Sequence, residues 1–147
     1  MKKTLFLILV VLFPVPVTAN AAGKDALKIA VASNGKDATA SISNKAGKCP
    51  YYLIFDSKGE LIEAVGNPYK DVKKGAGPQT ADFLADKGVT LVIAETFGEK
   101  MIAAMRSNST DYFQLHGIVR DAVKTVLNPG NRILIKLDRN LSPEYYE

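Results

Sequence analysis

The chain has 147 residues, 19 basic and 15 acidic, with a formal net charge of +4 and a single cysteine. One cysteine excludes an internal disulfide framework, and near-balanced charge excludes the strong basic stripe of a general nucleic-acid binder. The short cluster of Lys70, Lys73 and Lys74 is too small to change that.

The first element is an export signal. Lys2-Lys3 forms a positive start, Leu5 to Phe13 is a nearly unbroken apolar run, and Ala19-Asn20-Ala21 supplies a small-x-small cleavage pattern. A membrane span needs about 20 apolar residues, and this run is shorter and followed by Pro14 and Pro16. The expectation is a signal peptide over residues 1–21, cleaved near Ala21, with the periplasm as destination. Loss of Lys2 and Lys3 takes the 19 basic residues to 17 against 15 acidic ones, a net charge of about +2. The remaining ~125 residues suffice for one hydrophobic core.

Leu27 to Ala32 predicts a buried strand ending in a Ser33–Asp37 turn, and Thr39 to Ile42 a short extended piece. Tyr51–Phe55 and Leu61–Val65, joined by Ser57-Lys58-Gly59-Glu60, predict a hairpin. Gly66 to Gly77 predicts a long loop. A helix follows, with Pro78 in its first turn and Gly88 closing it. Val89–Ala94 is a continuous apolar strand of the parallel, doubly covered type. Glu99–Arg106 predicts helix, Asp111–Leu115 strand and Val119–Leu127 helix. Asn128 to Asn131 breaks the chain, and Arg132 to Leu137 predicts a further edge strand. Alternating helix and strand beside a hairpin describes one mixed-sheet α/β domain over residues 27–127, followed by an extension over 128–147.

The sulfur and imidazole donors left after signal removal are Cys49, Met101, Met105 and His116. Thiolate and thioether suit soft ions such as Cu(I), and imidazole suits copper among others. Cys49 stands before Pro50 at the start of a strand, where a turn is expected to expose it. The residue alone leaves its role open between metal ligation, a bridge to a second chain and a buried thiol. Met101 and Met105 share one helix face, as core filling or as ligands. His116 ends a predicted strand, as a hydrogen-bonded structural residue or as a ligand.

The second feature is Asp71-Val72-Lys73-Lys74-Gly75-Ala76-Gly77-Pro78-Gln79. Gly75 and Gly77 let backbone N–H groups turn toward one point, and the helix start that follows adds partial positive charge. Lys73 and Lys74 reinforce it, so the segment reads as an anion cradle or as a solvated connection. Thr96 and Gly98, after the parallel strand, fall on the same carboxyl edge, where α/β sheets place ligands. Enzyme signatures are absent from the sequence. There is no Gly-x-Ser-x-Gly elbow, no His-Glu-x-x-His or Cys-x-x-Cys pattern, and Lys28, Ala30 and Ala32 stand where a two-metal nuclease would want acids.

Three segments in register resemble the dinitrogenase iron–molybdenum cofactor biosynthesis family. They are Lys28–Lys36, Gly47–Asp56, and Gly75–Gln79 running on through Asp86–Val89 to Glu95–Lys100. Ala46 departs from the family's usual aromatic, and residues from Asn128 onward have no counterpart. The resemblance implies a ribonuclease-H-like α/β fold, a mixed sheet of about five strands covered by helices. It also implies binding of a metal–sulfur cluster without catalytic turnover, and it favours Cys49 as a ligand. The metal would then bring its own sulfides, or two chains would each contribute a Cys49 in a homodimer. The expectation is a periplasmic, non-enzymatic carrier of a copper–sulfide or molybdenum–copper cluster (iron being a further candidate), cradled by Lys73, Lys74, Gly75, Gly77, Gln79, Thr96 and Gly98 and passed to a recipient metalloprotein. The alternatives are a mononuclear Cu(I)-handling protein using Cys49, His116, Met101 and Met105, or a metal-free module for a small anion or a partner.

Overall fold

The computed structural model describes residues 26–131. Its central strand, β1 (Ile29–Ser33), is buried at every residue, as a continuous apolar run requires. β2 (Tyr51–Phe55) pairs with it antiparallel, and β3 (Leu61–Gly66) completes the hairpin as an exposed edge. On the other side β4 (Leu91–Ala94) pairs with β1 in parallel, and β5 (Asp111–Gln114) pairs with β4 in parallel. The order is β3-β2-β1-β4-β5, the mixed five-stranded, ribonuclease-H-like sheet that was expected. Helices α1 (Ala76–Asp86) and α2 (Glu99–Ser107) cover one face, and α3 (Val119–Leu127) covers the other.

Ala30, Ala32, Val92 and Ala94 face α1 and α2, leaving room for Leu84, Met101 and Met105 to come down from the helices. Ile29, Val31, Leu91 and Ile93 face the single helix α3, which answers with Val119, Ala122, Val123 and Val126. The small residues of β1 and β4 thus lie under the helix pair, while Tyr52 and Ile54 of β2 supply the bulk of that same layer.

β2 and α3 stand at the expected residues. α1 begins two residues before Pro78, because Gly75 takes the left-handed conformation (φ 77°) that turns the chain into the helix. Pro78 then occupies the first turn, where a missing N–H costs nothing. Gly88, also left-handed, follows α1, and the Lys28 ammonium donates to the Lys87 carbonyl at 2.8 Å. The Thr39–Ile42 piece is reduced to single bridges, Ser33 to Ile42 and Ser41 to Ile118. Residues 1–21 and the expected strand at Arg132–Leu137 lie outside the described residues. Among the described residues no helix is long and apolar enough to cross a membrane.

Candidate functional site

The parallel strands β1, β4 and β5 end on one edge of the sheet, and α1 and α2 both start there. Tyr51 opens β2 at this same edge, paired with Ser33 at the end of β1. A single 3-10 turn, Ala46–Lys48, precedes β2. Between this turn and the two helix starts lies a cleft of about 590 Å³.

Two glycines bring its three walls together. A Cβ on Gly47 would lie 2.9 Å from the Gly77 Cα, and one on Gly77 would lie 2.9 Å from the Met101 Cβ. The 3-10 turn therefore meets the first turn of α1 at the backbone, and α1 meets the start of α2 the same way. The turn is also tied to the segment that follows β4. The Ala46 N–H donates to the Thr96 carbonyl at 3.1 Å, and the Thr96 hydroxyl donates to the Asn44 carbonyl.

The electrostatics of the cleft are one-sided. Neither α1 nor α2 has a side-chain cap at its N-terminus, so both present the partial positive charge of free N–H groups, in full at α1 and partly offset at α2 by Glu99 in its first turn. Lys45, Lys48, Lys73 and Lys100 line the cleft with a single carboxylate, Glu99. All four lysines are exposed, and among the described residues the one ion pair is elsewhere, Lys87 with Glu63 at 2.7 Å. Pro78, Phe97 and Met101 add apolar surface, with Phe97 stacked at a tilt on Tyr112, ring centroids 5.0 Å apart. The arrangement suits an anion that also presents poorly hydrated surface.

Of the residues expected to cradle an anion, Lys73, Gly75, Gly77, Thr96 and Gly98 do meet on this cleft. Lys74 is exposed and outside its lining. Gln79 is also outside the lining, its amide donating to the carbonyl of Gly75 at 3.1 Å. Lys45, Gly47, Lys48 and Lys100 were missed. Their signal was a pair of lysines flanking a glycine just before a strand, and a lysine at the start of a helix.

The soft donors require a correction. Cys49 was expected to be exposed and is 0 % exposed, enclosed in the core beneath α1 and α2. The preceding 3-10 turn packs on α1 through Gly47 and Gly77, and the thiol lies inside the fold beside Tyr52, Asn67 and the Ser33 backbone. Burial pushes the thiol from 9.0 up to about 12, outweighing the lowering effects of Tyr52 and of Asn67, whose amide Nδ2 lies 3.9 Å from the sulfur. Cys49 is thus a protonated core thiol in this conformation, unavailable as an exposed thiolate or as a bridge to a second copy. Met101 and Met105 are buried in the same cluster as ordinary core filling, although Met101 also borders the cleft. His116 is exposed and lies outside that cluster. Among the described residues no group of three or more His, Cys, Asp or Glu side chains is placed to hold a metal ion.

Comparison with solved structures places this fold among relatives. The apo form of the orange protein from Desulfovibrio gigas is similar at 26% identity and a TM-score of 0.67, covering 71% of this chain and 88% of that one. A NifB candidate from Thermotoga, placed in the DUF35 family, is similar at 25% identity and a TM-score of 0.61, covering 71% and 90%. A Methanocaldococcus jannaschii protein described as a dinitrogenase candidate shares the fold at 17% identity and a TM-score of 0.52, covering 72% and 91%. A search of curated protein sequences gives no match. Residues 27–128 match the family described as Dinitrogenase iron-molybdenum cofactor, and the chain belongs to that family.

Proposed function

We propose that the protein is a non-enzymatic carrier that holds a metal–sulfur cluster, or a sulfide-bearing precursor of one, as an anion in the carboxyl-edge cleft. It would pass that cargo to a recipient metalloprotein. The observation that carries this reading is the convergence of two uncapped helix N-termini and four lysines on one cleft. Such donors favour a polyanion without committing a protein group to a covalent bond. Phe97, Pro78 and Met101 give the wall on which sulfide edges, less hydrated than oxyanions, would rest. The family and the likeness to the apo orange protein support a cluster as the cargo.

Copper, molybdenum and iron are the metals proposed, in combination with inorganic sulfide. With Cys49 enclosed, the cleft and not the thiol is the holding site. Export through a signal peptide at residues 1–21 is part of the proposal, supported by Lys2-Lys3, the Leu5–Phe13 run and Ala19-Asn20-Ala21. A small-anion module without metal is the second reading, favoured by a cleft lining that, among the described residues, contains no cysteine or histidine. Anaerobic titration of the apoprotein with tetrathiomolybdate, with and without Cu(I), separates them. Stoichiometric co-elution of the coloured thio-anion with the protein on gel filtration, lost in Lys48→Glu/Lys100→Glu, supports the carrier. Binding of molybdate or phosphate as tight as that of the thio-anion supports the module.

A further inference from the structure

A buried polar clamp stands behind the cleft and touches only the far side of its wall. The Tyr52 hydroxyl, wholly buried, donates to the Ala46 carbonyl at 2.6 Å. The Asn67 amide and the Thr80 hydroxyl, both buried, donate to the Gly47 carbonyl at 3.2 and 3.3 Å. Asn67 is itself fixed: its Oδ1 accepts from the Tyr69 N–H at 3.0 Å and lies 3.4 Å from the Thr80 hydroxyl, whose single proton is shared between it and the Gly47 carbonyl. Tyr52, Asn67 and Thr80 come from β2, from the loop after β3 and from α1, so three separate parts of the fold converge on two successive carbonyls.

That convergence dictates where the intervening N–H points. There is no cis peptide among the described residues, and in a planar trans peptide the C=O and the following N–H are directed oppositely. Carbonyls of Ala46 and Gly47 drawn into the core therefore turn the Gly47 and Lys48 N–H groups outward. The Lys48 N–H is used within the turn, bonded to the Lys45 carbonyl at 3.2 Å. Among the described residues the Gly47 N–H has no acceptor, and Gly47 lines the cleft.

We propose that the Gly47 N–H is a backbone ligand-binding donor of the cleft and that Tyr52, Asn67 and Thr80 are its positioning residues. The inference rests on the reading of the cleft as an anion site and adds a donor that is neither a helix end nor a lysine. It also gives a reason for a buried Tyr–Asn–Thr cluster that the core would otherwise replace with apolar side chains. The donor selects for acceptor atoms that reach the base of the 3-10 turn, between Lys45 and Lys48.

The test is an amide NMR titration of the full protein with tetrathiomolybdate under anaerobic conditions. The Gly47 proton should move downfield together with those of Gly77 and Lys100. In Tyr52→Phe and Thr80→Val the Gly47 shift should shrink, and the dissociation constant should rise about tenfold, the order expected for a misdirected hydrogen bond to an anion. Val123→Ala, on the opposite face of the sheet, should leave the shift intact even though it loosens the core. A Gly47 amide that stays still while Gly77 and Lys100 move overturns this inference and leaves the anion cleft standing. No movement at any of the three overturns both. The wild-type titration decides the first point even if the variants fold poorly.

Discussion

Gly77 and Met101 touch so closely that a Cβ on the glycine would stand 2.9 Å from the methionine Cβ. The contact joins the first turns of α1 and α2 and sets the distance between their N-termini. On its other side Gly77 meets Gly47 of the 3-10 turn, again with 2.9 Å left for a Cβ. The cleft is thus a consequence of two absent side chains.

Gly77→Ala should open this junction. The obstructing atom is a Cβ fixed to the α2 backbone, so the helices must separate. A loss of about 1–3 kcal/mol in urea unfolding is expected, as for overpacking, with weaker tetrathiomolybdate binding. Gly98→Ala is the control. Gly98 has open space around it and an ordinary φ of −75°, so its cost should stay below about 1 kcal/mol. Equal destabilisation by the two would show that the Gly77 contact does not organise the site.

The four cleft lysines should matter for binding and not for folding. Each of Lys45, Lys48, Lys73 and Lys100 replaced by Gln should weaken tetrathiomolybdate binding about two- to fivefold at low salt, with unfolding changed by less than about 0.5 kcal/mol. Lys74→Gln, outside the cleft lining, should have the smallest effect. Raising ionic strength should compress the series, since exposed charges are screened. Titrations at two salt concentrations check this.

Cys49 should behave as a core thiol. At about pH 8 a disulfide thiol reagent should leave the native protein unmodified while reacting fully with the urea-unfolded chain. Because the folded thiol is raised from 9.0 to about 12, the unfolded chain loses a proton between those values that the folded one keeps. Stability contributed by the protonated thiol is therefore complete below pH 9.0 and falls as pH rises toward 12. The buried Tyr52 hydroxyl, also raised by burial and by the neighbouring Cys49, acts in the same direction. Urea midpoints at about pH 8 and 10.5 should drop less in Cys49→Ala than in the wild type.

His116→Ala should leave metal and sulfide content unchanged, because His116 is exposed and outside the buried cluster of sulfur side chains. A selective loss of copper in this variant would revive the mononuclear ion-handling reading.

The fold was largely legible because its signals were local. Continuous apolar runs marked β1 and β4, the Ser57–Glu60 turn marked the hairpin, and Gly88 marked the end of α1. Half of the site was legible for the same reason: glycines and a lysine before a helix start announced Lys73, Gly75 and Gly77. What escaped depended on contacts distant in sequence. Lys45 and Lys48 belong to the cleft only because Gly47 rests on Gly77, thirty residues on. Cys49 looked exposed because the sequence shows a turn beside Pro50, and nothing local says that the thiol points inward to Asn67, eighteen residues on. His116 and the methionines have chemistry in common but not a place.

The most direct measurement is metal and acid-labile sulfide content on wild-type protein and on Lys48→Glu/Lys100→Glu, both isolated anaerobically from cells expressing them. The account predicts metal with stoichiometric sulfide in the wild type, retained in Cys49→Ala and lost in the double lysine variant. Metal without sulfide, or a full complement of both in the double variant, would contradict it.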